Sequence, residues 1–413
     1  MDNKEEQKVV IIGGGFGGVS TALDLSKLNI ANLKITLVSD KPHFEYHPAL
    51  YRVVTGKSPL EVCIPLEEIF AGKKVEVVED KISKIQLEDK VVIGQSGSKY
   101  KFNFLVLALG SETAYLAIPG LMEHSFGFKS ISEAIRLKNH LHAVFAKCKT
   151  ASKEEKVCLV HIIIVGAGTS GTELAGELAL YTKTLAKNHD IDPTLVTIDL
   201  IEAAPQILPS LPSDIAKNIE KRLRFLGINI FVNRTLLKEE IREVYLKDMK
   251  MKTKTVIWTA GVAPNALLGR TRKFRTNQKG QVIVDEYLQA AGHTGVFVIG
   301  DGAAGKYSGM AQTAIADGKI AAANIGRLIN GLPLIKNQPQ KPIAAIPVGK
   351  SWAAVIIGKV RIYGTLGWVL RRLADLRFFA SVLPLKKALL AFGSGKTLCE
   401  SCPICLPESS MEQ

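Results

Sequence analysis

Short apolar runs alternate with amphipathic stretches along this chain of 413 residues. Residues 9–12, VVII, form a β-branched apolar run, which is typical of a buried parallel strand. From Val19 onward, apolar side chains recur at helical spacing. The same succession of strand and helix begins again at His161, in HIIIVGAGTSGTELAGELAL. Strands that alternate with helices in this way predict an α/β fold with parallel sheets.

A glycine pattern, G-x-G-x-x-G, stands between the strand and the helix in both segments. Its first glycine permits a tight turn, its second lets the backbone approach a pyrophosphate, and its third allows helix and strand to pack closely. Two such segments, about 150 residues apart, predict two doubly wound, Rossmann-like domains that each bind a dinucleotide. The predicted dinucleotide-binding glycines are Gly13, Gly15 and Gly18 in the first domain and Gly166, Gly168 and Gly171 in the second.

The residue that ends the second strand of each domain predicts the ligand. An acid there accepts hydrogen bonds from a ribose hydroxyl. In the first domain we assign this role to Asp40, although Ser39 occupies the usual place. In the second domain Glu202 occupies it, with no lysine or arginine immediately beyond. A carboxylate repels the 2′-phosphate of NADPH, so we expect FAD in the first domain and NADH in the second.

Three later segments predict how the chain passes between the domains. In flavoproteins with two such domains, an aspartate placed like Asp301, after the strand VFVIG, binds the ribityl chain and pyrophosphate. FNFLVLALGSET, which contains Gly110, resembles the exit from the FAD domain, and TVIWTAGVAPN, with Gly261, resembles the return near the nicotinamide. The predicted regions are an FAD-binding domain at 1–122 and 286–340, an NADH-binding domain at 123–285, a C-terminal region at 341–395 and a cysteine-containing tail at 396–413.

The net charge of +14 suggests an anionic partner. Nine lysines and arginines fall within 346–397, against one acid, Asp375. Apolar side chains there follow helical spacing from Leu366 to Leu383, while Arg371 and Arg372 lie away from that stripe. This pattern predicts an amphipathic helical region, 364–395, that lies on an anionic membrane surface. The alternative is a helix packed on its own protein with a solvated basic face. We expect no nucleic-acid partner, because no binding module is recognisable.

The polar start MDNKEEQK predicts no secretory signal, and no apolar run approaches the roughly 18–20 residues that cross a bilayer. Six cysteines do not make a disulfide framework and favour a reducing, cytoplasmic compartment.

From about residue 8 to about 395 the chain resembles the type II NADH dehydrogenases, which are single-subunit, non-pumping NADH:quinone oxidoreductases. The resemblance rests on GGGFGG, HFEYHPALYRVVTG, VGAGTSGTELAGEL, WTAGVAPN, VFVIGDGA and MAQTAIADGK. It implies FAD and NADH as cofactors, a membrane quinone as acceptor, a peripheral position on the cytoplasmic face of the cell membrane, and a homodimer.

The resemblance also implies roles for particular residues. Ala311 and Gln312 would lie beside the flavin and the quinone head group. The family usually has a second glutamine where this chain has Ala316-Asp317, so its quinone contacts are expected to differ. Glu173 would orient the nicotinamide or pass protons to the quinone. The alternative for Glu173 is an acid that only interacts with the dipole of its helix.

Two questions stay open at the level of sequence. Sulfide:quinone oxidoreductases share the fold, but they need a cysteine pair beside the flavin, and neither the second glycine segment nor 340–360 contains a cysteine. Cys399, Cys402 and Cys405 in the tail are compatible with a metal site, a local disulfide or acylated anchor, or free thiols. Ser409 stands where a ferredoxin-like fourth ligand is expected. The electron route requires no metal, and we predict none.

Overall fold

A computed structural model describes residues 6–394. Within that range the chain forms two compact units. The first unit contains 6–45, 63–112 and 263–342, and the second contains 46–62, 113–262 and 343–394. The bounds of these units differ from those of the predicted domains: 46–62 and 113–122 cluster with the second unit, 263–285 clusters with the first, and the C-terminal region forms no separate body.

The strands are short. They are β1 Gln7–Ile12, β2 Leu33–Ser39, β3 His43–Glu45, β4 Cys63–Pro65, β5 Glu76–Glu79, β6 Ile82–Gln86, β7 Val91–Gly94, β8 Lys99–Lys101, β9 Phe104–Leu107, β10 Ser111–Thr113, β11 Phe126–Gly127, β12 His161–Val165, β13 Thr197–Ile201, β14 Asn229–Phe231, β15 Leu236–Glu240, β16 Glu243–Leu246, β17 Met249–Lys252, β18 Thr255–Trp258, β19 Val262–Pro264, β20 Val296–Val298, β21 Ala344–Pro347, β22 Ala353–Ile357 and β23 Val360–Ile362.

The α-helices range from one turn to 20 residues. They are α1 Phe16–Lys27, α2 Leu50–Val54, α3 Leu66–Phe70, α4 Leu121–His124, α5 Ile131–Lys147, α6 Lys153–Leu159, α7 Thr169–Asn188, α8 Ser213–Phe225, α9 Ala266–Arg270, α10 Ala311–Ile329, α11 Thr365–Val382 and α12 Leu385–Ser394.

The first unit is built on a parallel sheet in the order β20-β9-β1-β2-β5. The apolar run in β1 is buried, as its sequence predicts. Helices α1 and α10 pack closely through small residues: the Thr21 hydroxyl donates to the carbonyl of Gly318 at 3.3 Å, and a Cβ on Gly318 would lie 2.7 Å from the oxygen of Gly17. The unit also contains an antiparallel sheet of β6, β7 and β8 and an antiparallel pair of β3 and β4.

The second unit repeats this plan with a parallel sheet in the order β11-β18-β12-β13-β14. In both sheets the strand before the glycine-rich loop is central. Two parallel sheets with this order confirm the predicted pair of Rossmann-like folds.

The C-terminal residues extend the second unit. Strands β21, β22 and β23 form an antiparallel sheet against which α11 packs. The packing is close, since a Cβ on Gly367 of α11 would lie 2.3 Å from the carbonyl oxygen of Ala353 in β22. Helix α11 ends before Pro384 and α12 begins after it, because proline cannot continue a helix without a kink.

Candidate functional site: two dinucleotide loops and a buried ion cluster

The two glycine-rich loops have nearly the same geometry. Gly13 and Gly166 adopt positive φ angles of +109° and +105°, which only glycine does without strain. A Cβ on Gly18 would lie 1.9 Å from the oxygen of Gly13, and a Cβ on Gly171 would lie 2.0 Å from the oxygen of Gly166. Both loops therefore need glycine at the first and third positions for the turn itself.

The second glycine of each loop borders open space instead. A Cβ built on Gly15 or on Gly168 would meet no atom within 4 Å. Each of these residues is the N-cap of a helix, α1 or α7, and neither helix has a side-chain cap. The N–H groups of the first turn are thus left for a ligand. This arrangement fits the pyrophosphate of FAD in the first unit and of NADH in the second.

Strand register identifies the equivalent ribose positions. The residue before the glycine loop pairs with Val38 in the first sheet and with Ile201 in the second. Ser39 and Glu202 therefore occupy matching places, at the carboxyl ends of β2 and β13. Asp40 follows one residue later and is exposed, whereas Ser39 is buried. The register favours Ser39 over Asp40 for contact with the FAD ribose.

Glu202 is held by two backbone amides. The N–H of Ala167, inside the glycine loop, donates to Glu202 Oε2 at 2.8 Å, and the N–H of Ala204 donates to Oε1 at 2.9 Å. These bonds fix the carboxylate beside the loop, and each oxygen keeps lone pairs that can accept ribose hydroxyls.

Asp301 follows β20 in the first unit, close to the exit segment that contains Gly110. The Ser111 hydroxyl donates to Asp301 Oδ2. Gly110 has a φ of +65° and open space where a Cβ would be. The structure thus places Asp301 beside the residue that follows Gly110, as expected if both contribute to one flavin site.

A buried carboxylate on α10 holds the turn Gly300-Asp301, which follows β20. Asp317 accepts the N–H of Gly300 at 3.1 Å and an amide N–H of Asn337 at 3.2 Å. Burial raises the pKa of Asp317, although these two hydrogen bonds oppose the rise. Asp317 stands at the place where the family carries a second glutamine, and its hydrogen bond to Gly300 holds the turn Gly300-Asp301 in position. Ala311 is partly buried and Gln312 is exposed at the first turn of the same helix.

Gly261 is required for a close approach of the backbone. A Cβ on Gly261 would lie 2.1 Å from the oxygen of Ala114, and the indole N–H of Trp258 donates to that same oxygen at 2.8 Å. Its neighbour Thr259 donates to the carbonyl of Gly166 at 2.7 Å and so anchors the glycine loop. Thr259 is a positioning residue that the sequence pattern alone did not single out.

Glu173 lies on the first turns of α7, partly buried. Burial raises its pKa to about 8, even though the positive charges of Arg371 and Arg52 oppose the rise. Burial also raises the pKa of Glu177, one turn later on the same helix. A carboxyl group with a pKa near the working pH can both donate and accept a proton, which suits a proton-transfer residue.

The two arginines near Glu173 belong to a buried group that we term the C-terminal ion cluster: Arg52, Glu61, Arg371, Arg372 and Asp375. Asp375 is fully buried and accepts from Arg371 through Oδ1 and from Arg372 and Arg52 through Oδ2, the last two at 3.1 and 3.3 Å. Glu61, equally buried, accepts from Arg52 and, at 2.5 Å, from Arg372.

Further contacts fasten this cluster to its surroundings. The hydroxyl of Tyr46 donates to Asp375 Oδ1 at 2.7 Å, and the Tyr46 ring stacks on Phe378 at 5.0 Å. Arg371 donates to the carbonyl of Pro48 at 2.8 Å. The cluster therefore ties α11 to the segment 46–62.

The cluster corrects one expectation. The sequence predicts Arg371 and Arg372 away from the apolar stripe of an amphipathic helix, on its basic side, but the exposed fractions of Arg371, Arg372 and Asp375 are only 5, 8 and 0%. The reason is tertiary: the segment 46–62 gives these charges buried partners, namely the carboxylate of Glu61, the guanidinium of Arg52 and the hydroxyl of Tyr46, which periodicity within α11 does not reveal.

The opposite face of the C-terminal helices is apolar and exposed. We term it the apolar outer face, and its large side chains are Leu366, Val369, Leu373, Leu385, Leu389 and Leu390. Arg377 and Lys386 are exposed among them. Within 6–394 no helix combines the length and hydropathy that crossing a bilayer requires.

Comparisons with known proteins decide the family. The model of the pyridine nucleotide-disulphide oxidoreductase family matches residues 7–318. A Staphylococcus epidermidis protein named type II NADH:quinone oxidoreductase is 30% identical over 341 residues, which cover 79% of this chain and 84% of the relative. The type II NADH:quinone oxidoreductase Ndh of Mycobacterium tuberculosis is 29% identical over 384 residues, or 88% and 82% of the two chains. The chain belongs to the type II NADH:quinone oxidoreductases, within the pyridine nucleotide-disulphide oxidoreductase family.

Solved structures agree on the fold of this family. The structure of NDH2 from Plasmodium falciparum in complex with RYL-552 matches with a TM-score of 0.84 at 17% identity, over 95% of this chain and 97% of that one. The sulfide:quinone oxidoreductase of Aquifex aeolicus matches with a TM-score of 0.77 at 19% identity, over 91% of each chain. Because both match well, the fold does not separate the two activities.

The cysteines are relevant to the difference between NADH:quinone and sulfide:quinone oxidoreductases, because the latter need a cysteine pair beside the flavin. Among residues 6–394, Cys63, Cys148 and Cys158 are free thiols, and burial raises the pKa values of Cys148 and Cys158. In the same range no three His, Cys, Asp or Glu side chains are grouped to hold a metal ion. Cys399, Cys402 and Cys405 lie outside the described residues, so the three interpretations of the tail stay as stated.

Proposed function

We propose that this chain is an FAD-dependent NADH:quinone oxidoreductase that reduces a membrane quinone without proton pumping. The overall reaction is NADH + H⁺ + quinone → NAD⁺ + quinol. The observation that carries the proposal is the pair of glycine loops, each with open space at its second glycine. Beside the second loop, a backbone amide holds the carboxylate of Glu202. The chain that carries both loops is a member of the type II family.

The first unit would hold FAD. Backbone N–H groups after Gly15 face the pyrophosphate, and a carboxylate or hydroxyl at the end of β2 takes the ribose, for which the register favours Ser39 over Asp40. When held there, FAD would supply the redox chemistry, namely uptake of a hydride from NADH and delivery of two electrons to quinone. The proposed FAD ligands are Gly13, Gly15, Gly18, Ser39 or Asp40, Gly110, Asp301, Ala311 and Gln312.

The second unit would hold NADH. Glu202 accepts the ribose hydroxyls, and the amides after Gly168 face the pyrophosphate. Glu173, with its pKa near 8, holds a proton at neutral pH that quinone reduction consumes. Gln312 can donate to or accept from a quinone head group through its amide. The proposed NADH ligands are Gly166, Gly168, Gly171, Glu202 and Gly261.

We place the protein peripherally on the cytoplasmic face of the cell membrane, attached through 364–395. The apolar outer face supports this placement, because six large aliphatic side chains are exposed on two adjacent helices. A homodimer through the C-terminal region is part of the same proposal.

Two glycine substitutions test the function. Gly15 and Gly168 have an extended backbone that any residue adopts, and the Cβ of a valine there would meet no atom within 4 Å, so the fold should persist while the pyrophosphate space is filled. We expect the wild type to contain FAD and to oxidise NADH with a soluble quinone. Gly168→Val should keep the flavin and lose NADH oxidation, whereas Gly15→Val should lose the flavin. Absorbance at the flavin band and NADH consumption measure both effects.

Gly269→Val is the matched control, because a Cβ there also meets no atom within 4 Å and α9 lies outside both loops. It should keep flavin and turnover. Sulfide-driven quinone reduction without NADH turnover by the wild type would reject the proposal in favour of sulfide oxidation.

A further inference from the structure

An arginine lies beside the ribose position of the second unit. The N–H of Arg234 donates to the backbone oxygen of Glu202 at 2.9 Å, and the N–H of Asn233 donates to the oxygen of Ala204 at 3.0 Å. Asn233, with a φ of 55°, turns the chain back after β14. Because β13 and β14 are parallel neighbours, Arg234 and Glu202 share one edge of the sheet.

The Arg234 guanidinium has unused donors. Nη1 donates to the backbone oxygen of Asn233 at 3.2 Å. The Nε atom is buried and has no acceptor, and among residues 6–394 no carboxylate forms an ion pair with Arg234. A guanidinium carries five donors, and a buried donor without a partner is costly, so this group suits an anionic ligand.

Glu202 does not neutralise this arginine. Its two carboxylate oxygens accept the amides of Ala167 and Ala204. The carboxyl ends of β13 and β14 thus carry, side by side, an acid that suits a 2′-hydroxyl and a base that matches a 2′-phosphate. Sequence order hides this pair, since Arg234 is 32 residues beyond Glu202.

We propose that Arg234 is a second specificity-determining residue at the adenosine ribose. Glu202 makes the site prefer a 2′-hydroxyl, and Arg234 confers a latent affinity for a 2′-phosphate that emerges when the charge of Glu202 is removed. The inference rests on the proposed nicotinamide-nucleotide site in the second unit.

Binding of oxidised nucleotides to the flavin-loaded protein tests it by calorimetry, without turnover. In Glu202→Gln, the affinity for NADP⁺ relative to NAD⁺ should rise by about tenfold or more, as expected for charge-assisted bonds to phosphate. Adding Arg234→Gln should remove most of that gain, and the gain should shrink at high salt.

Arg242→Gln, made in the Glu202→Gln background, is the matched control, because Arg242 is exposed and lies after β15. It should leave the gain intact; an equal loss would mean a general charge effect and would overturn the role of Arg234. If NAD⁺ binds but Glu202→Gln gains no NADP⁺ affinity, this inference alone fails. If neither nucleotide binds any form, the proposed NADH site fails with it.

Discussion

Glu173 combines proximity to two arginines with burial that raises its pKa. Its pKa of about 8 means that it is protonated at neutral pH and loses the proton as pH rises through 8. The opposing charges of Arg371 and Arg52 keep this value within the physiological range, where a carboxyl group can exchange protons.

Replacing Glu173 should therefore change the pH dependence of turnover. In the wild type, kcat for quinone reduction should fall as pH rises above about 8. Glu173→Gln should reduce kcat on the order of 10²-fold and remove that fall, since glutamine does not titrate. Glu220→Gln is the control, because Glu220 forms an exposed pair with Arg224. An unchanged pH profile in Glu173→Gln would argue for a role confined to the helix dipole.

Asp317 holds the turn Gly300-Asp301 of the proposed flavin site through a hydrogen bond from the N–H of Gly300. Asp317→Ala leaves the buried N–H of Gly300 without its acceptor, which typically costs about 1–3 kcal/mol. We expect a lower thermal midpoint and faster loss of FAD, measured by flavin fluorescence released on heating. Asp89→Ala, at an exposed turn position, should change neither. Equal flavin retention in Asp317→Ala would contradict the supporting role.

At the scale of elements, α11 is held by charge on its inner face. Burial would raise the pKa of Asp375, but the charges of Arg371 and Arg52 outweigh that effect and lower it. A carboxyl group with a depressed pKa contributes stability above its unfolded-state pKa and loses it as pH falls through the folded value.

Asp375→Asn should consequently destabilise the protein by about 3–5 kcal/mol at pH 7, because the arginines around it lose a buried counter-charge. Urea unfolding measures the loss. The difference from wild type should begin to shrink only as pH falls below about 4, the pKa of an unperturbed aspartate, and should disappear below the still lower pKa of Asp375 in the folded protein.

Asp214→Asn is the matched control for Asp375→Asn. It breaks a half-exposed Asp–Arg pair with Arg361 in the same unit and should cost no more than about 1 kcal/mol. A similar loss of unfolding free energy in both variants would mean that burial of the C-terminal ion cluster does not increase its contribution to stability.

At the scale of the whole molecule, a net charge of +14 and the apolar outer face act together. We expect binding to vesicles that contain anionic lipid, weaker binding to neutral vesicles, and release as salt rises. Leu389→Glu with Leu390→Glu should reduce sedimentation with vesicles by about tenfold or more, since each change removes an apolar contact and adds repulsion.

Leu237→Glu with Ile241→Glu adds the same charge at exposed apolar positions near β15 and should leave vesicle binding nearly unchanged. Equal losses in both double variants would reject the apolar outer face as the contact. These substitutions test the membrane contact more specifically than deletion of the C-terminal helices would, because deletion would also remove Arg371, Arg372 and Asp375 from the buried cluster.

The sequence by itself determined the two α/β units and both glycine loops. Those features follow from local requirements: a β-branched run for a buried strand, and glycine at the loop positions Gly13, Gly18, Gly166 and Gly171, where φ is positive or a Cβ would collide. The position of Glu202 at a strand end could be predicted for the same reason.

Only the tertiary structure decided how distant charges pair. Arg371 and Arg372 face inward because Glu61 and Asp375 neutralise their charges. Glu61 and Arg372 are more than 300 residues apart in the sequence, so only the fold brings them together. Arg234 reaches Glu202, and Asp317 reaches Gly300, through contacts that exist only after the sheets and helices have packed. Periodicity reports which side of a helix is apolar, but burial of a charge depends on the partner that the fold brings to it.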